Sequence, residues 1–258
     1  MFDVILLRLD APMISFGTTV IDNYGEIQEF PALSMLTGLF GNALGFEHTD
    51  FEKLSSLQER IRYAVRCDRP GRHIMDFQTV DLGQPFMACD GWTTRGEVQK
   101  RKGEKHTREG THLRYRNYWA DSVYTVAVTL DPPLSDAKGR PSMADLEKAL
   151  IEPYRPLFIG RKNCLPANPI FLGRQKASSL LECLREAPAL PENRVPKNFD
   201  TYSVWWFDKD DWADKLYDTF SVCDVCDWAN QIHVGNRLAY HGCLFLPIEE
   251  EEEVIDAS

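Results

Sequence analysis

The sequence predicts a mixed α+β fold of the ferredoxin-like or RRM-like type. Three alternating segments, two helical ones and their order along the chain carry that reading. "VILLRLD" (4–10) sets Ile5, Leu7 and Leu9 on one side and Leu6 with Arg8 on the other. "IRYAVRCD" (61–68) separates Ile61, Tyr63, Val65 and Cys67 from Arg62, Ala64, Arg66 and Asp68. "SVYTVAVTL" (122–130) aligns Tyr124, Val126, Val128 and Leu130. A period of two residues marks a strand, here with one face turned to a core.

Between the first two strands, "FPALSMLTGLFGNALGF" (30–46) spaces Leu36, Leu39, Phe40, Ala43 and Leu44 as a helix does. Ser34, Gly38, Gly41 and Gly45 form a second, small-residue stripe. An interior glycine costs a helix about 1 kcal/mol relative to alanine. The stripe therefore implies close approach of a backbone or ligand, or else tight helix–sheet packing. "SMADLEKALIEPY" (142–154) opens with a Ser-x-x-Asp capping box and brings Leu146, Ala149 and Leu150 together. The order strand, helix, strand, excursion, strand, helix makes residues 1–195 one core domain with an insertion at about 70–118. Residues 196–248 read as strands completing or extending that core, with a linker-like "PALPENRVPKN" (188–198) before them. "EEEEEVIDAS" (249–258) reads as a solvated, disordered acidic tail.

Charge is distributed unevenly. "GWTTRGEVQKRKGEKHTREGTHLRYRNY" (91–118) holds eight Lys/Arg against three Glu, whereas the whole chain carries −10. A protein that coats nucleic acid nonspecifically is usually basic throughout, because phosphate neutralisation drives that binding. A confined basic stretch in an acidic chain implies one localised anion contact. Trp92, Tyr115, Tyr118 and Trp119 flank the charges, and aromatic faces accept unstacked bases. The stretch reads as an insertion between elements and not as part of the core.

At 258 residues with 43% hydrophobic content, the chain suffices for an ordinary globular core. No run approaches the ~20 apolar residues of a membrane-spanning helix. The start "MFDVILLRLDAP" is not a secretory signal, since Asp3 and Arg8 interrupt it. Seven cysteines without framework spacing read as reduced thiols, so the expected location is cytoplasmic.

Other constellations are weaker. "FIGRKNCLPANPIFLG" (158–173) offers a turn at Gly160 with Arg161, Lys162 and Asn163 as donors to an anion. "CDVCDWANQIHVGNRLAYHGC" (223–243) contains Cys223, Cys226, His233, His241 and Cys243, but the spacing is not that of paired zinc knuckles. It reads as ordinary cysteines with no metal. Lys105 beside His106 could do general acid–base work on an RNA 2′-hydroxyl, but a lone histidine in a basic loop is more often an ordinary charge-bearing residue. No phosphate-binding loop, dinucleotide fingerprint, nucleophile elbow or His-Glu-x-x-His motif is present, and no cofactor is expected.

Six segments, "LLRLDAPMISFG", "FPALSMLTGLFGNALGF", "IRYAVRCDRPG", "DFQTVD", "RYRNYWADSVYTVAV" and "FIGRKNCLPANPIFLG", occur in the order found in the Cas-five family of CRISPR-associated proteins. The chain resembles the branch of that family that serves type I-E Cascade, well over residues 4–173 and loosely beyond. The resemblance implies an RRM-like RAMP (repeat-associated mysterious protein) domain with a basic thumb hairpin. It implies a non-catalytic subunit that binds the 5′ handle of the CRISPR RNA and caps the foot of the complex. Its partners would be the Cascade backbone subunits and the large subunit, with target DNA reached only through the complex and no membrane.

By position, the resemblance assigns RNA contact to Arg116 with Tyr115 and Tyr118, to Arg108 and Arg114 of the same stretch, and to Gly160, Arg161, Lys162 and Asn163. It adds Arg8 and the helix start near Ser34, where free N–H groups suit a phosphate. An enzymatic alternative within the same family, as in type I-C, is a metal-independent endonuclease using a Tyr, Lys and His set, for which Lys105–His106 is the local candidate. Residues 196–258 are longer and richer in Trp and Cys than the family pattern, and the acidic tail has no counterpart in it.

Overall fold

The structure, a computed structural model, describes residues 1–19, 24–81, 111–132, 140–194, 201–208 and 217–245. The expectations placed on Trp92, Lys105, His106, Arg108 and the acidic tail lie outside the described residues.

In chain order the elements are β1 (Phe2–Asp10), β2 (Met13–Ile14), β3 (Tyr24–Gly25), α1 (Leu33–Leu44), α2 (Phe51–Arg60), β4 (Ile61–Arg69), β5 (Arg72–Asp81), β6 (Thr111–Ala120) and β7 (Val123–Leu130). They continue with α3 (Met143–Ile151), β8 (Phe171–Ala177), α4 (Leu180–Glu186), β9 (Tyr202–Trp206), β10 (Asp218–Val222), β11 (Cys226–Asp227), β12 (Ile232–His233) and β13 (Arg237–Leu244). Seven strands form one sheet in the order β10-β13-β9-β4-β7-β1-β8, antiparallel at every neighbouring pair. The fold is mixed α+β and dominated by this sheet.

The strands read as having one core face are covered on both. Ile5, Leu7, Leu9, Val126 and Val128 join α1 and α3 in one apolar cluster. Val4, Leu6, Ala64 and Ala127 join α4 in a second. All eight residues of β7 are buried, as for a central strand between two layers.

The second layer reaches a position that reads as polar. Arg66 is fully buried, and its guanidinium donates to Leu184 O, to Ala187 O (3.1 Å) and to Pro188 O (3.0 Å), at and just beyond the α4 C-terminus. A cation there satisfies carbonyls that lack intrahelical donors and meets the negative end of the helix dipole. Asp68 completes the group, accepting from Arg66 Nε at 2.6 Å and from Thr125.

The glycine stripe of α1 packs against protein. A Cβ on Gly41 would lie 2.6 Å from Leu54 Cδ2 of α2, and Gly45 ends the helix in a left-handed conformation (φ 82°). The close approach is helix on helix at Gly41, while Gly38 faces Trp228 and Gly45 faces Tyr154.

At the end of β1, Asp10 accepts from Arg194 Nη1 (2.8 Å) and Nη2 (3.0 Å), closing the segment after α4 onto the sheet. Burial pushes the Asp10 carboxyl upward, but the Arg194 hydrogen bond and charge outweigh it, so its pKa is lowered. A carboxylate with a depressed folded-state pKa stabilises the fold fully above the unfolded value of about 3.9, and that stability fades as pH falls through the folded value. Asp10→Asn should therefore lower the thermal midpoint by a constant amount above about pH 5, with the gap closing under acid. A gap that instead widens toward low pH in thermal melts would show that this pair is not the source.

Candidate nucleic-acid interface

A second sheet is built around β6, the C-terminal end of the basic stretch. β5 pairs with it antiparallel from Arg72↔Ala120 to Asp81↔Thr111, β2 pairs near Trp119, and β3 runs parallel beside Tyr115 and Arg116. The basic stretch thus enters the regular structure, contrary to its reading as a pure insertion. Its Tyr118 is 1% exposed and belongs to the main apolar cluster, and Asn117 is also buried.

Alternation along β6 gives the ribbon two faces. Arg114, Arg116 and Tyr118 share one face, to which β5 adds Arg72 and Asp76. Arg114 is exposed and Arg116 half-buried. The Nε of Arg116 is enclosed without a hydrogen-bond partner among the described residues. A buried guanidinium donor left unpaired is costly, which singles out Arg116 as a candidate donor to a ligand's oxygen. Tyr115 lies on the opposite face, between Tyr24 and Phe77.

The Gly160 turn seats on the base of this ribbon. Gly160 adopts φ 96°, and a Cβ there would overlap the Ser15 carbonyl, so only glycine fits. Ile159 O accepts from Ser15 N (3.3 Å), and Cys164 N donates to Arg161 O (2.9 Å) to close the turn. Arg161 donates from Nη1 to Asn117 O (2.9 Å) and from Nη2 to Gly25 O (3.3 Å). Its guanidinium lies 4.8 Å from the centre of the Tyr118 ring, and Asn163 Nδ2 donates to Tyr118 Oη at 3.1 Å. Two stretches read separately as anion candidates are therefore one structural unit. Lys162 of the same turn is exposed.

Three assigned residues require correction. Tyr118 is a buried support for Arg161 and Asn163, with no face open to a base. Arg8 is 8% exposed, with Nη2 on Pro188 O (2.6 Å) and Nη1 3.9 Å from Asp68. Burial pulls its pKa below the ordinary arginine value, with Asp68 opposing and Arg66 reinforcing that change. It faces inward because α4 and Pro188 cover that side of the sheet. The α1 start is already filled. Leu33 N donates to Asp224 Oδ2 (2.8 Å), Ser34 N donates to Asp224 O (3.1 Å), and Ser34 Oγ lies 3.1 Å from His233 Nε2. The protein's own carboxylate stands where a phosphate was expected.

Asp224 is anchored by Arg237, whose Nε (2.7 Å) and Nη2 (2.6 Å) grip both oxygens, while Nη2 also donates to Tyr63 Oη (2.6 Å). Burial pulls Arg237 down, but Tyr63 and Asp224 outweigh it and hold the guanidinium charged above its ordinary value. Cys226 pairs with His233 across β11 and β12, and among the described residues no three His, Cys, Asp or Glu side chains gather as a metal set. Burial pushes the thiols of Cys67 up to about 12 and Cys183 up to about 11, away from nucleophilic use.

Sequence reasoning missed Tyr24, Met75 and Phe77, which are 46%, 56% and 53% exposed beside Tyr115. The alternation of "RHIMDFQTVD" (72–81) signals the strand that carries Met75 and Phe77. Nothing local signals Tyr24. No helix among the described residues is long and apolar enough to cross a membrane.

A ribbon carrying Arg114, Arg116 and exposed aromatic rings, clamped to an antiparallel sheet, defines an α+β protein with a candidate nucleic-acid edge. The sequence model of the family described as CRISPR-associated protein (Cas_Cas5) matches residues 4–240, and the chain belongs to that family. It is 32% identical over 199 residues to the CRISPR system Cascade subunit CasD of Escherichia coli (strain K12), covering 77% of this chain and 80% of that one. A chain of a solved CRISPR RNA-guided surveillance complex superposes with a TM-score of 0.66 at 26% identity, covering 95% of this chain and 91% of that one. A second structure, solved as a crystal structure of a Cas protein, shares the fold with a TM-score of 0.57 at 20% identity, over 95% of both chains.

Proposed function

We propose that this protein is the non-catalytic subunit of a type I, I-E-like Cascade complex that holds the 5′ handle of the CRISPR RNA and caps the foot of the assembly. Its partners are then the RNA, the backbone subunits and the large subunit, in the cytoplasm, with target DNA engaged through the complex and no cofactor. The observation that carries this reading is the enclosed, unpartnered Nε of Arg116 on the strand that also seats the Arg161–Asn163 turn. The resemblance to CasD supports it. The antiparallel order β4-β7-β1-β8 supports the ferredoxin-like or RRM-like reading of the core, with β5 and β6 as the stem of the thumb.

Arg116 is held at the base of the ribbon, where its planar fork is preorganised for phosphate in a way lysine cannot reproduce. Arg116→Ala is expected to lower handle affinity by about 1.5–3 kcal/mol, the range for a hydrogen bond to a charged group, without restoration by Arg116→Lys. Neutralising Lys100, Arg101 or Lys102 singly should cost under about 1 kcal/mol. With about four phosphates engaged, log affinity should fall against log salt with a slope near −3. Filter binding of handle RNA at several salt concentrations measures all three, and a slope near zero would remove phosphate as the target. The protein should leave repeat RNA intact. Cutting that vanishes in His106→Ala would put the endonuclease reading in its place.

A further inference from the structure

The face of the β3–β6–β5 ribbon opposite Arg116 has its own chemistry. Tyr24, Tyr115 and Phe77 stand in one row across three strands, since Tyr24↔Tyr115 and Phe77↔Tyr115 are register partners. The two tyrosine rings are nearly parallel, 4.7 Å apart with 9° between planes, and Phe77 follows at 5.3 Å and 45°. The outer members of the row stay open to solvent, Tyr24 at 46% and Phe77 at 53%, with Met75 beside them at 56%.

We infer that the row Tyr24–Tyr115–Phe77 is a stacking platform for unpaired bases of the bound RNA, so that the ribbon meets phosphates on its arginine face and bases on its aromatic face. The inference rests on the RNA-binding reading above and adds the chemical form in which the RNA is held. The exposed end rings of such a stack, Tyr24 and Phe77, offer planar surface on which a base can continue the row, and base–ring stacking tolerates any sequence because every base has a π face. Tyr115 lies between Arg114 and Arg116 in the chain, which couples the row to the cationic face within single residues. Strands lie about 5 Å apart, so the two faces are joined around a narrow edge at the two-residue β3. Arg114 and Arg116 stand on the reverse face one residue either side of Tyr115, in a chain that carries −10 overall, and this local positive charge favours an anionic, planar ligand over a protein surface.

The test compares the full-length protein with Tyr24→Ala, Phe77→Ala and the conservative Tyr24→Phe. The probe is a single-stranded RNA of about twelve nucleotides, within the usual site size for such platforms, alone and annealed to its complement. Each alanine variant should bind the single strand about tenfold more weakly, with the salt slope unchanged because no ionic contact is lost. Tyr24→Phe should bind as the parent does, and duplex affinity should be unaffected by all three changes. A 2-aminopurine placed in the single strand should be quenched by the parent and less so by Tyr24→Ala. If the parent binds the single strand but the alanine variants bind it equally well, the platform is wrong while the arginine-based reading stands. If the parent fails to bind RNA at any salt, the RNA-binding reading itself fails. Variants that bind RNA normally yet no longer assemble with the other subunits would assign the row to a protein contact and overturn the inference.

Discussion

Asp224→Ala is expected to destabilise the protein by about 3–5 kcal/mol, the penalty for removing one partner of a buried ion pair. The carboxylate is 1% exposed and serves two sets of donors, the first N–H of α1 and both arms of the Arg237 fork. Alanine leaves Arg237 charged within 3.7 Å of the centre of the Phe207 ring and strips α1 of its cap, since the Ala32 side chain offers none. Asp224→Asn keeps an oxygen for Leu33 N but loses the charge pair, so it should fall between parent and alanine. Urea unfolding followed by circular dichroism ranks the three. An alanine variant within about 1 kcal/mol of the parent would mean that water replaces the carboxylate at no great loss.

That cap marks where the sequence stopped being legible. β1, β4, β7, α1 and α3 follow from local period, because the apolar pattern of each is set by neighbours a few residues away. The partner of the α1 start lies 191 residues further on, and no spacing rule joins Asp224 to Leu33. A free helix N-terminus and a filled one look identical in sequence, so nothing near Ser34 shows that its N–H groups already have an acceptor. Arg66 misleads for a related reason. Beside Ala64 and Asp68 it reads as a solvent face, yet the carbonyls ending α4 descend on it and make burial of its charge tolerable. The site is legible in part. Its basic and aromatic composition singles out the stretch that carries β6, and glycine at 160 announces a turn. The docking of that turn on β6 through Tyr118 is a tertiary fact, and it converts Tyr118 from a contact into a support.

Gly160→Ala tests that docking most sharply. The residue sits at φ 96°, where an L side chain is strained by about 1–3 kcal/mol. The added methyl group would also collide with the Ser15 carbonyl, and shortening the Ser15 side chain gives no relief because the obstacle is backbone. The turn must then lift from the ribbon, which pulls Arg161 from Asn117 O and Gly25 O and Asn163 from Tyr118. Together these are expected to cost about 2–4 kcal/mol, or roughly 5–15 °C in thermal midpoint for a chain of this size. Handle affinity should fall as well, because Arg116 shares the strand that the turn braces. Lys162→Ala on the same turn removes an exposed charge only, so it should leave stability unchanged and weaken RNA binding by under about 1 kcal/mol. The pair separates bracing from contact. Should Gly160→Ala melt with the parent and bind RNA equally well, the turn is not seated as described, and Arg161 and Asn163 lose their claim to position the interface.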